Sequence, residues 1–230
     1  MITIAVNGAA GRMGSRILAL AAQAPSKYRA GGSFDHAKSG LKPLSPESLK
    51  GIDVLIDFSS PEGAAQSLGA CVSSKTSLVI GTTGLDAATQ EAIQKASEAI
   101  PIVYSANMSV GVNLVAEALE LLASRLGGEF KISMTEAHHI HKKDAPSGTA
   151  LLLKNAMAAS GQSIEIKSIR EGEIVGDHTV LFSGAAETIE ITHRAQSRDV
   201  FALGALKAAA FLAQNGKPGK LYSMRDVLRG

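Results

Sequence analysis

The chain has 230 residues, of which 45% are hydrophobic and 19% are charged. This composition is typical of a globular protein that buries a core, in one large domain or two small ones, and it excludes a disordered chain. The formal net charge of +2 is nearly balanced, so the composition indicates neither a nucleic-acid partner nor attraction to an anionic membrane.

The single cysteine and the amino terminus indicate where the protein works. Because Cys71 is the only cysteine, no intramolecular disulfide can form, and its apolar neighbours predict a small buried side chain rather than a nucleophile. Residues 1–6 form a strand pattern without the features of a signal peptide. No apolar run approaches the roughly 20 residues of a membrane helix, so we expect a cytoplasmic protein.

The first predicted strand, residues 2–6, leads directly into a glycine-rich turn and a helix. Gly8, Gly11 and Gly14 give the spacing G-x-x-G-x-x-G, with Ala10 where the common dinucleotide fingerprint has a glycine. In that arrangement glycines let the backbone approach a pyrophosphate at the helix N-terminus. A tight turn without any ligand would also favour glycine, so the pattern alone leaves both interpretations open.

The second predicted strand, Tyr28–Phe34, ends at an acidic residue. Asp35 lies about twenty residues past the last glycine, where this fold places the group that accepts a hydrogen bond from the adenine ribose. Lys38 could instead receive a 2'-phosphate, so the choice between NADH and NADPH stays open. The alternative is an ordinary surface aspartate.

Strands then alternate with helices through the first half of the chain. Buried-strand patterns cover residues 54–58, 77–80 and 102–104, with helices after Pro61 and over residues 86–99. Such alternation predicts a parallel, doubly wound sheet, whose ligands bind at the carboxyl ends of the strands. We therefore expect three loops, residues 8–14, 81–84 and 105–108, to meet around one nucleotide.

From Gly111 onward the pattern changes to a longer helix followed by strands. The helix runs through Leu126, and strand patterns cover residues 130–137, 164–170, 179–182 and 188–192. This α+β segment predicts an antiparallel or mixed sheet, with one face on helices and the other available to another subunit. A helix over residues 200–214 and a tail after residue 219 complete the chain.

The segment 136–149, which reads EAHHIHKKDAPSGT, carries the strongest chemical signal. His138 and His139 are predicted at a strand end, pointing to opposite faces, and a helix is predicted to start beside Ser147. The free N–H groups of that helix start would bind a carboxylate or phosphate, with Lys142 and Lys143 adding positive charge. A histidine could move a proton near neutral pH, so a small anionic substrate that needs protonation fits this segment.

Two other interpretations of this segment remain. His138, His139 and His141 could belong to a metal site, although zinc centres usually recruit Cys, Asp or Glu as well. The segment could also be a solvated basic loop without a role.

These motifs together resemble the dihydrodipicolinate reductase family, also called 4-hydroxy-tetrahydrodipicolinate reductase, of lysine and diaminopimelate biosynthesis. The resemblance covers nearly the whole chain, and segment 136–149 is its signature. The matching segments are residues 7–14, 57–59, 61, 81–84, 107, 109–113, 136–149, 193–195, 197–198 and 224–228.

The resemblance implies the reaction and the residues that perform it. The reaction is NADH- or NADPH-dependent reduction of dehydrated 4-hydroxy-tetrahydrodipicolinate, a small dicarboxylate, to tetrahydrodipicolinate. His138 would donate or accept a proton, Lys142 would donate one, His139 would contact the substrate, and Gly148 and Thr149 would bind a substrate carboxylate. No metal ligand is implied. The implied cofactor-binding residues are Gly8, Ala9, Ala10, Gly11, Arg12, Met13, Asp35, Gly81, Thr82, Thr83, Ser105, Ala106, Asn107 and Met108.

The resemblance also implies an organisation. An N-terminal Rossmann-like domain, residues 1–109, would be completed by the tail 217–230, and residues 110–216 would form an α+β domain for substrate binding and tetramerisation. A homotetramer is implied. The alternatives are another Rossmann oxidoreductase that acts on a small carboxylate, a nucleotide-binding protein without turnover and, least favoured, a metal-dependent hydrolase.

Overall fold

The computed structural model describes residues 1–36 and 39–230, so the expectation for Lys38 lies outside the described residues. The chain divides into two compact units. The first combines residues 1–109 with 201–230, and the second comprises residues 110–200.

A six-stranded sheet forms the centre of the first unit. The strands are β1 (Ile2–Asn7), β2 (Tyr28–Phe34), β3 (Val54–Asp57), β4 (Ser77–Ile80), β5 (Ile102–Tyr104) and β10 (Leu221–Tyr222). They lie in the order β10-β5-β4-β3-β1-β2, and every neighbouring pair is parallel. The parallel, doubly wound α/β prediction is thereby confirmed. The helices that accompany the strands are α1 (Arg12–Ala22), α2 (Pro61–Ser74), α3 (Ala87–Ala96), α6 (Asp199–Asn215) and α7 (Met224–Arg229).

The central strands of this sheet are buried on both faces, as parallel strands covered by helices must be. All six residues of β1 and all four of β3 are buried. Helix α2 begins as the sequence predicts, with Pro61 in its first turn and Ser60 as the N-cap, whose hydroxyl accepts from the Gly63 N–H at 3.2 Å. Cys71 is a fully buried free thiol whose pKa is raised by burial, as expected for a core residue.

A four-stranded mixed sheet forms the centre of the second unit. The elements of this unit are α4 (Val110–Leu126), β6 (Lys131–His138), α5 (Gly148–Ala156), β7 (Ile166–Arg170), β8 (Asp177–Ser183) and β9 (Thr188–Arg194). The strands lie in the order β7-β6-β8-β9. Strand β6 runs parallel to β7 and antiparallel to β8, and β8 is antiparallel to β9, which confirms the mixed sheet.

Burial alternates along β6, which buries Ile132, Met134, Glu136 and His138 on one face. The first two pack into an apolar cluster with residues of α4 and α5, such as Leu119 and Leu153. The same alternation carries Glu136 and His138 inward beyond this apolar cluster. A strand that begins in the core therefore ends in ionisable side chains.

Helix α6 falls mostly in the first unit, whereas the sequence interpretation placed residues 201–216 in the second domain. Its inward face is rich in small buried side chains, including Ala205 and Ala209, and the carbonyl of Leu206 accepts from the Tyr28 hydroxyl of β2 at 3.0 Å. The boundary near residue 109 coincides with the sequence interpretation. In the described residues, no helix is long and apolar enough to cross a membrane.

Candidate functional site

Two positions of the glycine-rich turn after β1, Gly8 and Gly14, are packed too tightly for a side chain. Gly8 has φ of +80°, and a Cβ there would lie 2.3 Å from the carbonyl oxygen of Phe58. A Cβ on Gly14 would lie 2.2 Å from the carbonyl oxygen of Gly8. Helix α1 follows with no acidic residue in its first turn, so its N-terminus keeps its positive potential. This turn has the geometry that a dinucleotide phosphate needs.

Two clefts line the carboxyl ends of these strands. One encloses about 620 Å³ and includes Gly8, Ala10, Gly11 and Asp35 in its lining. The other encloses about 370 Å³, and its lining includes Arg12, Met13, Gly81, Thr82, Thr83, Ala106 and Met108. The three loops expected to share one nucleotide therefore lie together.

Phe58 and Ser59, which the sequence interpretation did not single out as cofactor-binding, line both clefts. The Phe58 ring packs against Gly81, where a Cβ would lie 2.2 Å from its Cζ. Ala9 and Asn107 are buried, and neither they nor Ser105 are among the described residues that line these clefts. Ser105 and Asn107 instead shape the loop after β5, since the Ser105 hydroxyl donates to the Asn107 carbonyl at 2.7 Å.

The Asp35 carboxylate is fixed at the end of β2. One oxygen accepts from the Ala10 N–H at 2.9 Å and the other from the His36 N–H at 2.7 Å. It therefore faces the larger cleft beside the glycine-rich turn, where the sequence predicts an acceptor for ribose hydroxyls.

A second carboxylate, Asp57 at the end of β3, is fully buried behind these loops. It accepts from the Asn7 amide at 2.8 Å, from the Ser67 and Thr82 hydroxyls at 2.5 Å each, and from the Ser59 hydroxyl at 3.0 Å. These donors come from the ends of β1 and β4, from α2 and from the loop after β3. Asp57 thus ties the loops around the clefts to one buried acceptor.

Helix α6 fixes the loop that carries Met108. A Cβ on Gly204 would lie 1.7 Å from the Met108 carbonyl oxygen, so the helix backbone approaches the loop more closely than any side chain allows. Met108 itself is 1% exposed. The position of the loop therefore depends on a glycine far away in the sequence.

In the second unit, β6, a short loop and α5 arrange segment 136–149. Strand β6 ends at His138, and Ser147 is the N-cap of α5, its hydroxyl accepting from the Ala150 N–H at 3.1 Å. The Ser147 hydroxyl also lies 3.2 Å from His178 Nε2 of β8. Helix α5 starts at Gly148 without an acidic residue in its first turn, so the anion-binding site expected at its N-terminus keeps its positive potential.

The buried Glu136 carboxylate contacts two cationic or titratable groups. One oxygen contacts His138 Nδ1, and the other accepts from Arg170 Nη2 at 2.9 Å. Burial raises the pKa of Glu136, but the hydrogen bonds from Arg170, Ser168 and His138 outweigh burial and hold this pKa below its usual value. Burial also lowers the pKa of His138, and the neighbouring Glu136 only partly opposes this shift.

The loop between β6 and α5 holds the lysine expected to donate a proton. Lys142 Nζ lies 2.8 Å from Asp144 Oδ1, and this hydrogen bond lowers the pKa of Asp144. Arg170 reaches the same loop, since its guanidinium donates to the carbonyl oxygens of Lys142 at 3.3 Å and Asp144 at 2.5 Å. Lys143 is exposed.

His139 continues the chain beyond β6, half-buried, with its backbone N–H bonded to the Ile174 carbonyl at 2.7 Å. Among the described residues its Nδ1 is buried without a hydrogen-bond partner. Gly148 is exposed and Thr149 half-buried in the first turn of α5. Each of the five residues expected to act on substrate therefore lies in β6, in the loop after it or at the start of α5.

His178 and His193 extend the ionisable cluster across the sheet, and the sequence interpretation gave neither a role. The His178 ring stands edge-on to His138 with centroids 5.2 Å apart, and His193 lies 6.4 Å beyond. Burial, with the nearby charges of His138 and His193, lowers the pKa of His178 from 6.5 to about 4. Burial likewise lowers the pKa of His193. His178 is therefore neutral at physiological pH.

Glu136, His138 and His178 place possible ligand atoms within 4.8 Å of one another. Both Glu136 oxygens are already engaged, one by the Arg170 cation, which would repel a divalent ion at this position. The contacts therefore describe a hydrogen-bonded chain, and the expectation that segment 136–149 binds no metal stays a prediction.

Comparison with known proteins identifies the family. Family models described as dihydrodipicolinate reductase, N-terminus, and dihydrodipicolinate reductase, C-terminus, match residues 2–108 and 111–228. The chain is 40% identical to the 4-hydroxy-tetrahydrodipicolinate reductase of Syntrophotalea carbinolica, covering 99% of each chain. It is 42% identical to the enzyme of that name from Xanthomonas campestris pv. campestris strain B100, covering 99% of this chain and 98% of the relative.

A solved structure has the same fold. It is a dipicolinate-bound dihydrodipicolinate reductase from Paenisporosarcina sp. TG-14, with a TM-score of 0.82, 22% identity and coverage of 97% of each chain. With both halves matched by family models and relatives above 30% identity over its whole length, the chain belongs to the dihydrodipicolinate reductase family.

Proposed function

We propose that this protein catalyses the NADH- or NADPH-dependent reduction of dehydrated 4-hydroxy-tetrahydrodipicolinate to tetrahydrodipicolinate, a step of diaminopimelate and lysine biosynthesis. The observation that carries the proposal is segment 136–149, which places His138, Lys142 and the start of α5 in one strand-loop-helix of a chain that matches the family from end to end.

The first unit fits a nicotinamide dinucleotide. The glycine turn at Gly8 and Gly14 leaves no room for side chains, and the start of α1 opens to the larger cleft, where Asp35 supplies an acceptor for ribose hydroxyls. Arg12, Met13, Thr82 and Met108 would border the other part of the cofactor. When bound, the reduced nicotinamide supplies a hydride.

The second unit holds the substrate and delivers the proton. The N–H groups of Gly148 and Thr149 at the start of α5 bind one substrate carboxylate, and His139 contacts the substrate from the end of β6. Hydride addition to the ring builds up negative charge, which a nearby acid must neutralise. The Lys142 ammonium, released from Asp144 by the incoming dicarboxylate, donates this proton to the substrate. The neutral lysine then regains a proton through His138, whose ring nitrogen accepts one from solvent and passes it on.

The decisive experiment follows NADH absorbance after addition of freshly generated substrate. We expect substrate-dependent oxidation of NADH or NADPH, and parallel assays with the two cofactors measure the preference that the sequence leaves open. A related oxidoreductase or a binding protein without turnover predicts no oxidation with this substrate. Absence of substrate-dependent oxidation with both cofactors would refute the proposal.

Single variants test the assigned roles. We expect His138→Ala and Lys142→Ala each to lower kcat by about 10²-fold or more, the usual contribution of a proton-transferring group. Thr149→Val should mainly raise KM, by roughly tenfold, because it removes the side-chain hydroxyl that we assign to the substrate carboxylate beside the N–H groups, without removing the acid. The exposed Glu173→Gln serves as a neighbouring control. Full turnover in both His138→Ala and Lys142→Ala would contradict the role assignment.

The same proposal includes a homotetramer formed through the mixed sheet. Side chains on the face of β6 opposite its core are exposed or half-buried, such as Lys131 and Ser133, and the Thr179 and Thr192 hydroxyls on β8 and β9 lie 3.0 Å apart. This polar face could be covered by another copy. Light scattering after size-exclusion chromatography measures the mass, and a monomer at assay concentration would exclude the tetramer.

A further inference from the structure

The end of β6 holds two ionisable residues side by side on its buried face. Glu136 is fully buried and His138 is 7% exposed, two positions apart on the same side of the strand. Glu136 Oε2 contacts His138 Nδ1. A carboxylate in contact with a ring nitrogen controls the tautomer of the imidazole.

Arg170 fixes the state of that carboxylate. It lies on β7 directly opposite His138, and its Nη2 donates to Glu136 Oε1 at 2.9 Å. A guanidinium is always protonated, so it stabilises the ionised form of Glu136. An ionised carboxylate can only accept hydrogen bonds, and the proton between Glu136 and His138 therefore belongs to Nδ1.

With Nδ1 protonated and bonded, Nε2 is the ring nitrogen that can exchange a proton. Nε2 faces Gly176, where a Cβ would lie 3.0 Å away, so the absence of a side chain at Gly176 leaves room beside it. The other ionisable groups around the ring are His178 of β8 and, in the loop, Lys142. The Lys142 and Arg170 cations disfavour an added positive charge on His138, whereas the Glu136 carboxylate favours it.

Arg170 also connects the two proton-handling residues. The guanidinium that holds Glu136 donates to the carbonyl oxygens of Lys142 and Asp144, which lie in the loop that carries the lysine. One side chain therefore orients both the carboxylate behind His138 and the backbone beneath Lys142. Removal of the guanidinium would release both at once.

We propose that Glu136 and Arg170 are positioning residues for the reduction: Glu136 holds His138 as the Nδ1–H tautomer with Nε2 available, and Arg170 anchors Glu136 and the Lys142 loop together. The proposal rests on the proposed function, since it assigns a task to the same site. Neither residue needs to touch substrate or cofactor. Their effect is exerted through His138 and Lys142.

The test substitutes Glu136→Gln, which keeps the size of the side chain. The amide oxygen that this substitution introduces can still accept from Arg170, but the amide nitrogen then donates to Nδ1, so that the neutral ring carries its proton on Nε2. We expect kcat to fall by roughly 10²-fold, as when a histidine is held in the wrong tautomer, with KM changed less than about threefold. In the pH profile of kcat, the limb that reports the protonation of His138 should move to lower pH, because the carboxylate that stabilises the imidazolium has been removed.

Nitrogen NMR of the imidazole rings gives a readout independent of turnover. Ring-nitrogen shifts should show Nδ1–H for His138 in the unaltered protein and Nε2–H in Glu136→Gln.

Glu136→Asp should recover part of the lost kcat, because it restores a carboxylate acceptor for Nδ1–H, and Glu173→Gln should match the unaltered protein. Arg170→Lys should lower kcat as well, since a lysine cannot contact the carboxylate and two carbonyl oxygens in one plane.

The outcomes separate this inference from the function itself. If the unaltered protein reduces the substrate and folded Glu136→Gln keeps its kcat and pH profile, the positioning role is wrong and the function stands. An Nε2–H tautomer in the unaltered protein would overturn the inference even if every variant failed to fold. Absence of substrate-dependent oxidation in the unaltered protein would instead refute the function.

Discussion

Each unit of this protein is organised around a buried carboxylate, but the two carboxylates have opposite kinds of partner. Asp57 in the first unit accepts from an amide and hydroxyls, and no described Lys or Arg forms an ion pair with it. Glu136 in the second unit contacts a guanidinium and an imidazole. Both side chains have no exposed surface.

The difference follows from what each unit has to do. Amide and hydroxyl donors fix the position of a carboxylate but do not ionise near neutral pH, so they cannot transfer a proton to it. Asp57 therefore serves as a rigid anchor for loops that hold a cofactor. A carboxylate beside a histidine can change how protons are distributed in its surroundings, and the proton transfer that we propose for the second unit uses that property. Burial alone therefore does not reveal the role of a carboxylate, whereas its partners do.

The largest expected effect concerns the anchor. We predict that Asp57→Ala lowers the free energy of unfolding by about 4 kcal/mol, because each buried donor left without an acceptor costs about 1–3 kcal/mol. Urea titration measures this loss, and NADH fluorescence should show weaker binding. Glu91→Ala, at an exposed acidic residue of α3, is the control and should cost far less. Equal losses in the two variants would show that Asp57 is not an anchor.

The next effect is the pH dependence of stability that His178 in the second unit produces. The pKa of His178 is about 4 in the folded protein and about 6.5 when unfolded, so between these values the unfolded chain binds a proton that the folded protein does not. Stability is therefore lost as the pH falls below 6.5. From about pH 7 to about pH 4.5 this residue should cost about 2.5 kcal/mol.

Urea titrations at both pH values compare the protein with His178→Asn, in which this part of the pH dependence should disappear. Ser73→Ala, at an exposed serine of the first unit that does not titrate, should keep the full dependence. A His178→Asn protein with an unchanged slope of stability against pH would mean that this histidine titrates normally.

The smallest effect asks whether the Asp57 hydrogen bonds act individually. Ser67→Ala removes one hydroxyl donor to the carboxylate and should cost about 1.5 kcal/mol, the lower range for a hydrogen bond to a charged group. Ser73→Ala lies on the same helix at an exposed position and should cost less than about 0.5 kcal/mol. Similar values for both serines would mean that the remaining donors compensate fully.

Most of the fold could be predicted because its signals are local. The bounds of β2, β4 and β5 agree with the sequence interpretation, since short apolar runs between glycines and prolines mark buried strands clearly. The placement of α6 differed because a helix sequence contains its own periodicity but not the identity of the surface it covers. Gly204, which meets the Met108 carbonyl, gives no local indication of that contact.

The candidate site was predicted only in part, for a similar reason. His138, Lys142 and the start of α5 lie within one short segment, whereas Arg170 and His178 join them only through the register of β6 with β7 and β8. Register depends on pairing between distant strands, which spacing along the chain does not reveal. One signal was available: the alternation that buries Ile132 and Met134 also carries Glu136 to the core face, and a buried glutamate requires a partner.

Strand β10 has a consequence for synthesis of the protein. It pairs with β5 at the edge of the six-stranded sheet, yet the whole second unit is translated between the two strands. During that interval β5 exposes unpaired N–H and C=O groups that can recruit a strand from a neighbouring nascent chain. A ribosome that pauses while it translates the second unit therefore holds a product in which this edge of β5 still lacks its partner strand, and an unpaired edge favours aggregation.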